Sequence, residues 1–171
     1  MKKIIVLLLS VLLLVAVYGC ADEEVSVVND NGETQEASSS DSKEEQQTEF
    51  ERTDKIKIGS MVTVVTETRE FPEGQRRQPE QGKVFYLVGV ELTNEGDEVL
   101  SYAPLVYKIE DANGVQQSPR IDLEVPNKFV NGSLAPGGKI TGNMVFEVPA
   151  DMANLKLVKL QGQKQAYKIK L

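Results

Sequence analysis

Apolar and polar residues fall into three regimes along this chain. From Ile4 to Tyr18 every position except Ser10 is apolar, behind a short positive head of Lys2 and Lys3. From Ala21 to Asp54 polar and acidic residues dominate. Beyond Lys55 apolar residues recur with a period of two, the mark of strands that bury one face. In Val84–Thr93 the side chains of Val84, Tyr86, Val88, Val90 and Leu92 point one way. In Lys139–Val148 the residues Ile140, Met144, Phe146 and Val148 share a face, while Lys139, Thr141, Asn143 and Glu147 share the other. Tyr167, Ile169 and Leu171 repeat the pattern at the C-terminus. Ile56–Thr66 reads as an opening strand, Val99, Ala103, Leu105, Tyr107 and Ile109 as a further inward set, and Leu155–Leu160 as one more strand.

Turn chemistry separates these segments. Asn94-Glu95-Gly96-Asp97, Asp111-Ala112-Asn113-Gly114, Pro136-Gly137-Gly138 and Gln161-Gly162-Gln163 carry residues suited to tight reversal or positive φ. Helical spacing is absent, although Ala150–Asn154 is compatible with a single turn. The pattern therefore predicts an all-β domain over 55–171, a β-sandwich of about seven or eight strands, with a closed barrel as the alternative. The single cysteine and the lack of tryptophan leave packing alone to join the sheets.

The first regime reads as a secretory signal over residues 1–19. As a helix, Ile4–Gly19 rises about 24 Å, short of the roughly 30 Å hydrocarbon core that a permanent span must cross. Val17-Tyr18-Gly19-Cys20 resembles the lipobox of bacterial lipoproteins, with an aliphatic residue at Val17 and a glycine just before the cysteine. The resemblance implies that Cys20 receives a diacylglycerol group and, after cleavage between Gly19 and Cys20, becomes the first residue. Two acyl chains hold stably in a bilayer where one exchanges. The expected location is the extracytoplasmic face of the cell membrane, with the lipid as anchor. A free cysteine behind an ordinary cleaved signal is the plainer alternative.

Charge is concentrated in the second regime. Ala21–Asp54 holds twelve acids and two bases, Lys43 and Arg52, whereas 55–171 holds fourteen acids and fifteen bases. The acidic balance of the chain, −7 overall, thus belongs to residues 20–54. Low hydrophobicity with high net charge cannot offset the entropy of ordering, so this stretch is expected to be a disordered tether. A flexible chain of that length spans about 30–35 Å between its ends. Its one aromatic residue is Phe50, and its one aliphatic cluster is Val25, Val27 and Val28.

Two segments carry a family resemblance. Gly82-Lys83-Val84-Phe85-Tyr86-Leu87-Val88-Gly89-Val90-Glu91-Leu92-Thr93-Asn94 resembles the second-strand signature of the bacterial lipoprotein family called domain of unknown function 4352. Leu134-Ala135-Pro136-Gly137-Gly138-Lys139, running on to Val145-Phe146-Glu147-Val148-Pro149, is similar to a second motif of that family. The resemblance covers most of 55–171 and implies an immunoglobulin-like, telokin-type extracellular domain, similar in shape to a secreted mycobacterial immunogenic antigen. It implies neither an agreed activity nor catalytic residues.

The residue types narrow the chemistry. The chain has no histidine, which removes Ser-His-Asp and Cys-His catalysis and the His-containing zinc sites. Its one thiol is assigned to lipid. Glu110-Asp111 and Asp122/Glu124 are the closest carboxylate groupings of the domain, and no pattern pairs them across a cleft as glycoside hydrolysis requires. Asp111-Ala112-Asn113-Gly114 lacks the further ligands and terminal glutamate of a calcium loop and reads as a hairpin turn. Neither a metal nor a cofactor is expected. The near-neutral domain argues against nucleic acid. Two long loops are candidates for binding. Glu70–Gly82 carries adjacent arginines, Arg76 and Arg77, able to grip carboxylate or phosphate, unless it is a solvated loop. Ser118–Ser133 contains Arg120, Lys128, Phe129 and Val130, although a sandwich crossing needs such a connection anyway. The composite expectation is a non-catalytic, membrane-anchored module that binds another envelope protein. The alternative is a module for an anionic cell-wall polymer or small solute, contacted through Arg76 and Arg77.

Overall fold

A computed structural model describes residues 25–28, 48–71 and 77–171. Two five-stranded sheets face each other across one main core. The strands in chain order are β1 (Val25–Val27), β2 (Glu49–Phe50), β3 (Ile56–Ile58), β4 (Met61–Glu70), β5 (Lys83–Asn94) and β6 (Leu100–Tyr102). After a 3-10 turn at Pro104–Val106 come β7 (Tyr107–Glu110), β8 (Gln116–Gln117), β9 (Gly132–Leu134), β10 (Lys139–Pro149), β11 (Lys156–Gln161) and β12 (Lys164–Lys170). The first sheet runs β1-β3-β4-β5-β10, the second β2-β12-β11-β7-β8, and β6 pairs with β9 at the side. The expected sandwich is present. Its strand number exceeds seven or eight because several elements are two or three residues long and too short to leave a periodic signal.

Alternation explains the main core. Val88, Val90 and Leu92 of β5 and Met144, Phe146 and Val148 of β10 meet Tyr107, Ile109, Leu155, Leu157, Tyr167 and Ile169 from the opposite sheet. The β5–β10 register runs unbroken from Lys139 opposite Thr93 to Pro149 opposite Lys83, so both inward sets stack side by side. Burial of this kind is worth about 1.5–3 kcal/mol for each large apolar side chain.

Five expectations need correction or extension. The stretch 20–54, expected to be a disordered tether, contributes β1 against β3 and β2 in parallel with β12. Phe50, its one aromatic residue, is buried in the main core against the edge of Tyr167. The opening strand Ile56–Thr66 is a hairpin, because Gly59 takes a positive φ of 53° and reverses the chain between Ile58 and Met61. Pro104 starts a 3-10 turn that interrupts the alternation after Val99, so Tyr107 and Ile109 go inward while Val99 and Leu105 stay in solvent. Ala150–Asn154 is not a helical turn; Met152 and Asn154 sit in the left-handed region. Finally, the β10 face expected to be polar and open is covered: Asn143 and Glu147 are buried.

That last cover is the segment between β8 and β9. The Arg120 N–H donates to the Val145 carbonyl, the Asn143 N–H to the Asn127 carbonyl, and the Phe129 N–H to the Asn143 carbonyl. These bonds satisfy the free edge of β10, which would otherwise be open to pairing with another chain. Leu123 packs with Phe71, Phe85, Leu87 and Val145 into a second, smaller core on the outer face. Phe129 then turns around the edge into the main core, with ring centroids 5.3 Å from Tyr102 and 6.1 Å from Tyr107. Gly142 makes room for it, since a Cβ there would lie 2.8 Å from the Phe129 ring.

Candidate functional site

Gly19, Cys20 and Arg76 lie outside the described residues, so the lipidation motif and half of the arginine pair have no structural counterpart here. Arg77 is described, and its Nε lies 2.9 Å from Asp122 Oδ2. Asp122 also receives both Arg120 Nε and Nη2 at 3.0 Å, while Arg120 Nη1 pairs with Glu147. Glu147 Oε1 accepts the Glu80 backbone N–H at 2.7 Å, and the Arg120 guanidinium lies over the Phe85 ring. The Arg120 guanidinium holds the Asp122 carboxyl down at about 2. This network pins the covering segment to β10. An anionic polymer at Arg77 must therefore compete with a carboxylate already in place.

The other carboxylates singled out in the sequence are likewise engaged. Glu110 receives Lys168 Nζ at 2.6 Å and Gln116 Nε2 at 2.8 Å. Asp111 Oδ1 accepts the backbone N–H groups of Asn113 and Val115, each at 2.9 Å, and Gly114 follows at a φ of 77°. This is hairpin chemistry. Among the described residues no group of three or more carboxylate or thiol side chains is placed to hold a metal ion.

A different residue stands out once the sheets are assembled. Leu155, just before β11, and Leu157 on it point into the main core, and the same alternation places Lys159 on that inward face. Its cross-strand neighbours are Tyr107 on β7 and Tyr167 on β12, so a lysine is flanked by two fully buried tyrosines. The Lys159 ammonium sits 4.5 Å from the centre of the Tyr107 ring, a cation–π contact, and among the described residues no salt bridge joins it to a carboxylate. Burial lowers its pKa to about 8. Burial also raises Tyr107 to about 12 and Tyr167 well above its ordinary value. Thr63 of β4 meets the two phenols from the first sheet. The two hydroxyls and Thr63 interact with one another, and both hydroxyls are buried away from solvent.

Lys159, Tyr167 and Thr63 line a cleft of about 180 Å³. Ile58, Met61, Leu100 and Leu160 are its apolar lining, and Ser60, Thr63, Ser101, Lys159, Gln161 and Tyr167 its polar lining. A register shift between Lys159 and Leu160 turns both residues toward the cleft, where regular alternation would have separated them. Sequence reasoning passed over Lys159, although its signal was present: a lysine two residues beyond Leu157 on an inward-facing strand.

Comparison with known proteins follows the same architecture. The DUF4352 profile, described as a domain of unknown function, matches residues 50–166. The chain belongs to the DUF4352 family. The match begins at the buried Phe50, in agreement with β2 as part of the folded body. No curated protein matches the chain. Among solved structures, this DUF4352 chain is similar to the yjhA protein from Bacillus subtilis at 17% identity and a TM-score of 0.54, covering 71% of this chain and 98% of that one. It is similar to the secreted protein MPT63 from Mycobacterium tuberculosis at 12% identity and a TM-score of 0.54, covering 65% and 82% of the two chains. The ycdA protein of Bacillus subtilis, described as a candidate lipoprotein, shares 11% identity at a TM-score of 0.50, over 65% of this chain and 36% of that one. These likenesses concern the fold, and the resemblance drawn from the Gly82–Asn94 and Leu134–Pro149 motifs agrees with them.

Proposed function

We propose that this DUF4352 protein is an extracytoplasmic lipoprotein, moored through Cys20, whose sandwich is a non-catalytic module for binding another envelope protein. The carrying observation is the position of the exposed apolar side chains. Among the described residues the large apolar side chains that stand in solvent are Val99, Leu105, Val115, Ile121 and Val130. Val99, Leu105, Ile121 and Val130 belong to the segments that join β5 to β7 and β8 to β9, and Val115 to the β7–β8 hairpin. Exposed apolar residues concentrated on one part of a surface mark contact sites. The lipobox-like Val17–Cys20 and the likeness to a candidate lipoprotein support the location. No helix among the described residues is long and apolar enough to cross a membrane, which is in keeping with a lipid anchor.

The test places a photoreactive residue at Val99, Ile121 or Val130 of the full chain in its own cells, with Gln163 as the control position. A discrete crosslinked protein is expected at the three apolar positions and is lost in a Val99→Asp/Ile121→Asp variant. Crosslinking no stronger than at Gln163 refutes the interaction surface. Separately, Cys20→Ser is expected to move the protein from the membrane fraction to the medium or leave the signal uncut. Unchanged membrane retention and size refute the anchor.

A further inference from the structure

A lysine on the inward face of a strand is unusual unless a partner offsets its desolvation. Burying an ionised group is costly because it gives up its hydration. Here the Lys159 ammonium lines a cleft with only the Tyr107 ring against it and, among the described residues, no salt bridge to a carboxylate. What it lacks is an acceptor carrying negative charge. The surrounding walls, Ile58, Met61, Leu100 and Leu160, are aliphatic. They suit a short hydrocarbon, while Ser60, Ser101 and Gln161 add polar groups to the lining.

We infer that this cleft binds a short-chain aliphatic carboxylate, with the carboxylate received by Lys159 Nζ and the alkyl tail against Met61, Leu100 and Leu160. A cleft of 180 Å³ corresponds to the liquid share of about six waters, hence on the order of six non-hydrogen atoms. Butyrate to hexanoate span that size. The site is distinct from the exposed apolar segments and does not rest on the proposed protein interaction or on the lipid anchor.

The charge logic adds a specific signature. Beside Lys159 stand its cross-strand neighbours Tyr107 and Tyr167, and the other polar residues of the cleft lining are Ser60, Thr63, Ser101 and Gln161. Of these only the tyrosines titrate, and burial moves both above the alkaline range used below. With Lys159 losing its proton around pH 8, affinity for an anion that stays ionised falls about thirty-fold between pH 6.5 and 9.5.

The experiment is an amide-detected NMR titration of the purified full chain in mild detergent with pentanoate, and with pentanamide as the uncharged isostere. Pentanoate is expected to bind with a Kd of about 1 mM or tighter, shifting β11, β12 and β4 resonances, while pentanamide binds at least ten-fold more weakly. Lys159→Met is expected to abolish the preference for the acid. Met61→Trp, which fills the cleft and leaves the lysine, is expected to abolish binding, and Val99→Asp/Ile121→Asp to leave it unchanged. Absence of binding by butyrate, pentanoate and hexanoate, equal binding of acid and amide, or affinity independent of pH across the Lys159 titration overturns the inference. Should Lys159→Met fold poorly, the amide comparison and the pH dependence in the wild-type chain still decide it.

Discussion

Replacing Lys159 by methionine is expected to stabilise the protein, the reverse of what removing a charged surface residue does. The reasoning starts from the fall of its pKa from 10.5 to about 8, caused by burial. At about 1.4 kcal/mol per pH decade, this is a penalty on the order of 3 kcal/mol for keeping the amine charged in the folded state. Methionine preserves the unbranched shape and fits beside Met61 and Leu160, so little packing is lost. A gain of about 2–3 kcal/mol at pH 7 is expected, set against a total stability of roughly 5–15 kcal/mol for a domain. The pH dependence has a definite sign. Below pH 8 the amine is protonated in both states and the whole penalty is present. Between pH 8 and 10.5 the unfolded chain holds more protons than the folded one, so wild-type stability rises with pH. The buried tyrosines act oppositely, because their raised pKa values make stability fall as pH passes above 10. The window from pH 7.5 to 9.5 therefore isolates Lys159. Urea unfolding followed by circular dichroism is the assay, since the chain has no tryptophan. A flat wild-type profile across that window, or a Lys159→Met variant less stable than wild type by 1 kcal/mol or more, refutes the account.

Two further perturbations probe the segment that covers β10. Phe129→Ala removes a ring that is 2% exposed and touches two tyrosines. It is expected to cost about 3–4 kcal/mol and to increase hydrogen exchange at Asn127–Phe129 and Asn143; a loss under 1 kcal/mol shows that the segment is not tied down by this ring. Asp122→Asn removes a carboxyl held at about 2 by Arg120. Its contribution is present above the ordinary 3.8 and is lost as pH falls through 2. Because the carboxylate is partly exposed, the effect should stay below about 1 kcal/mol and shrink in salt. A wild-type to Asp122→Asn difference that persists at pH 2 contradicts the pairing.

Period-two alternation over 84–93, 139–148 and 165–171 was enough to specify an all-β domain and its inward sets, because burying one face of a strand leaves a local imprint on residues two apart. The lipobox-like Val17–Cys20 and the charge of 20–54 are local in the same sense. The tertiary structure decided the rest, and each case has a non-local cause. Val25–Val27 and Glu49–Phe50 are strands because neighbouring edges accept them, not because their own composition favours order. Glu147 is buried because a segment more than twenty residues earlier in the chain folds over it, so its polarity gave no hint of cover. Lys159 lay on a legible face, yet its meaning depends on Tyr107 and Tyr167 arriving from two other strands and on Thr63 from the opposite sheet. Alternation reports which way a side chain points; only the packed sheets determine what it finds there.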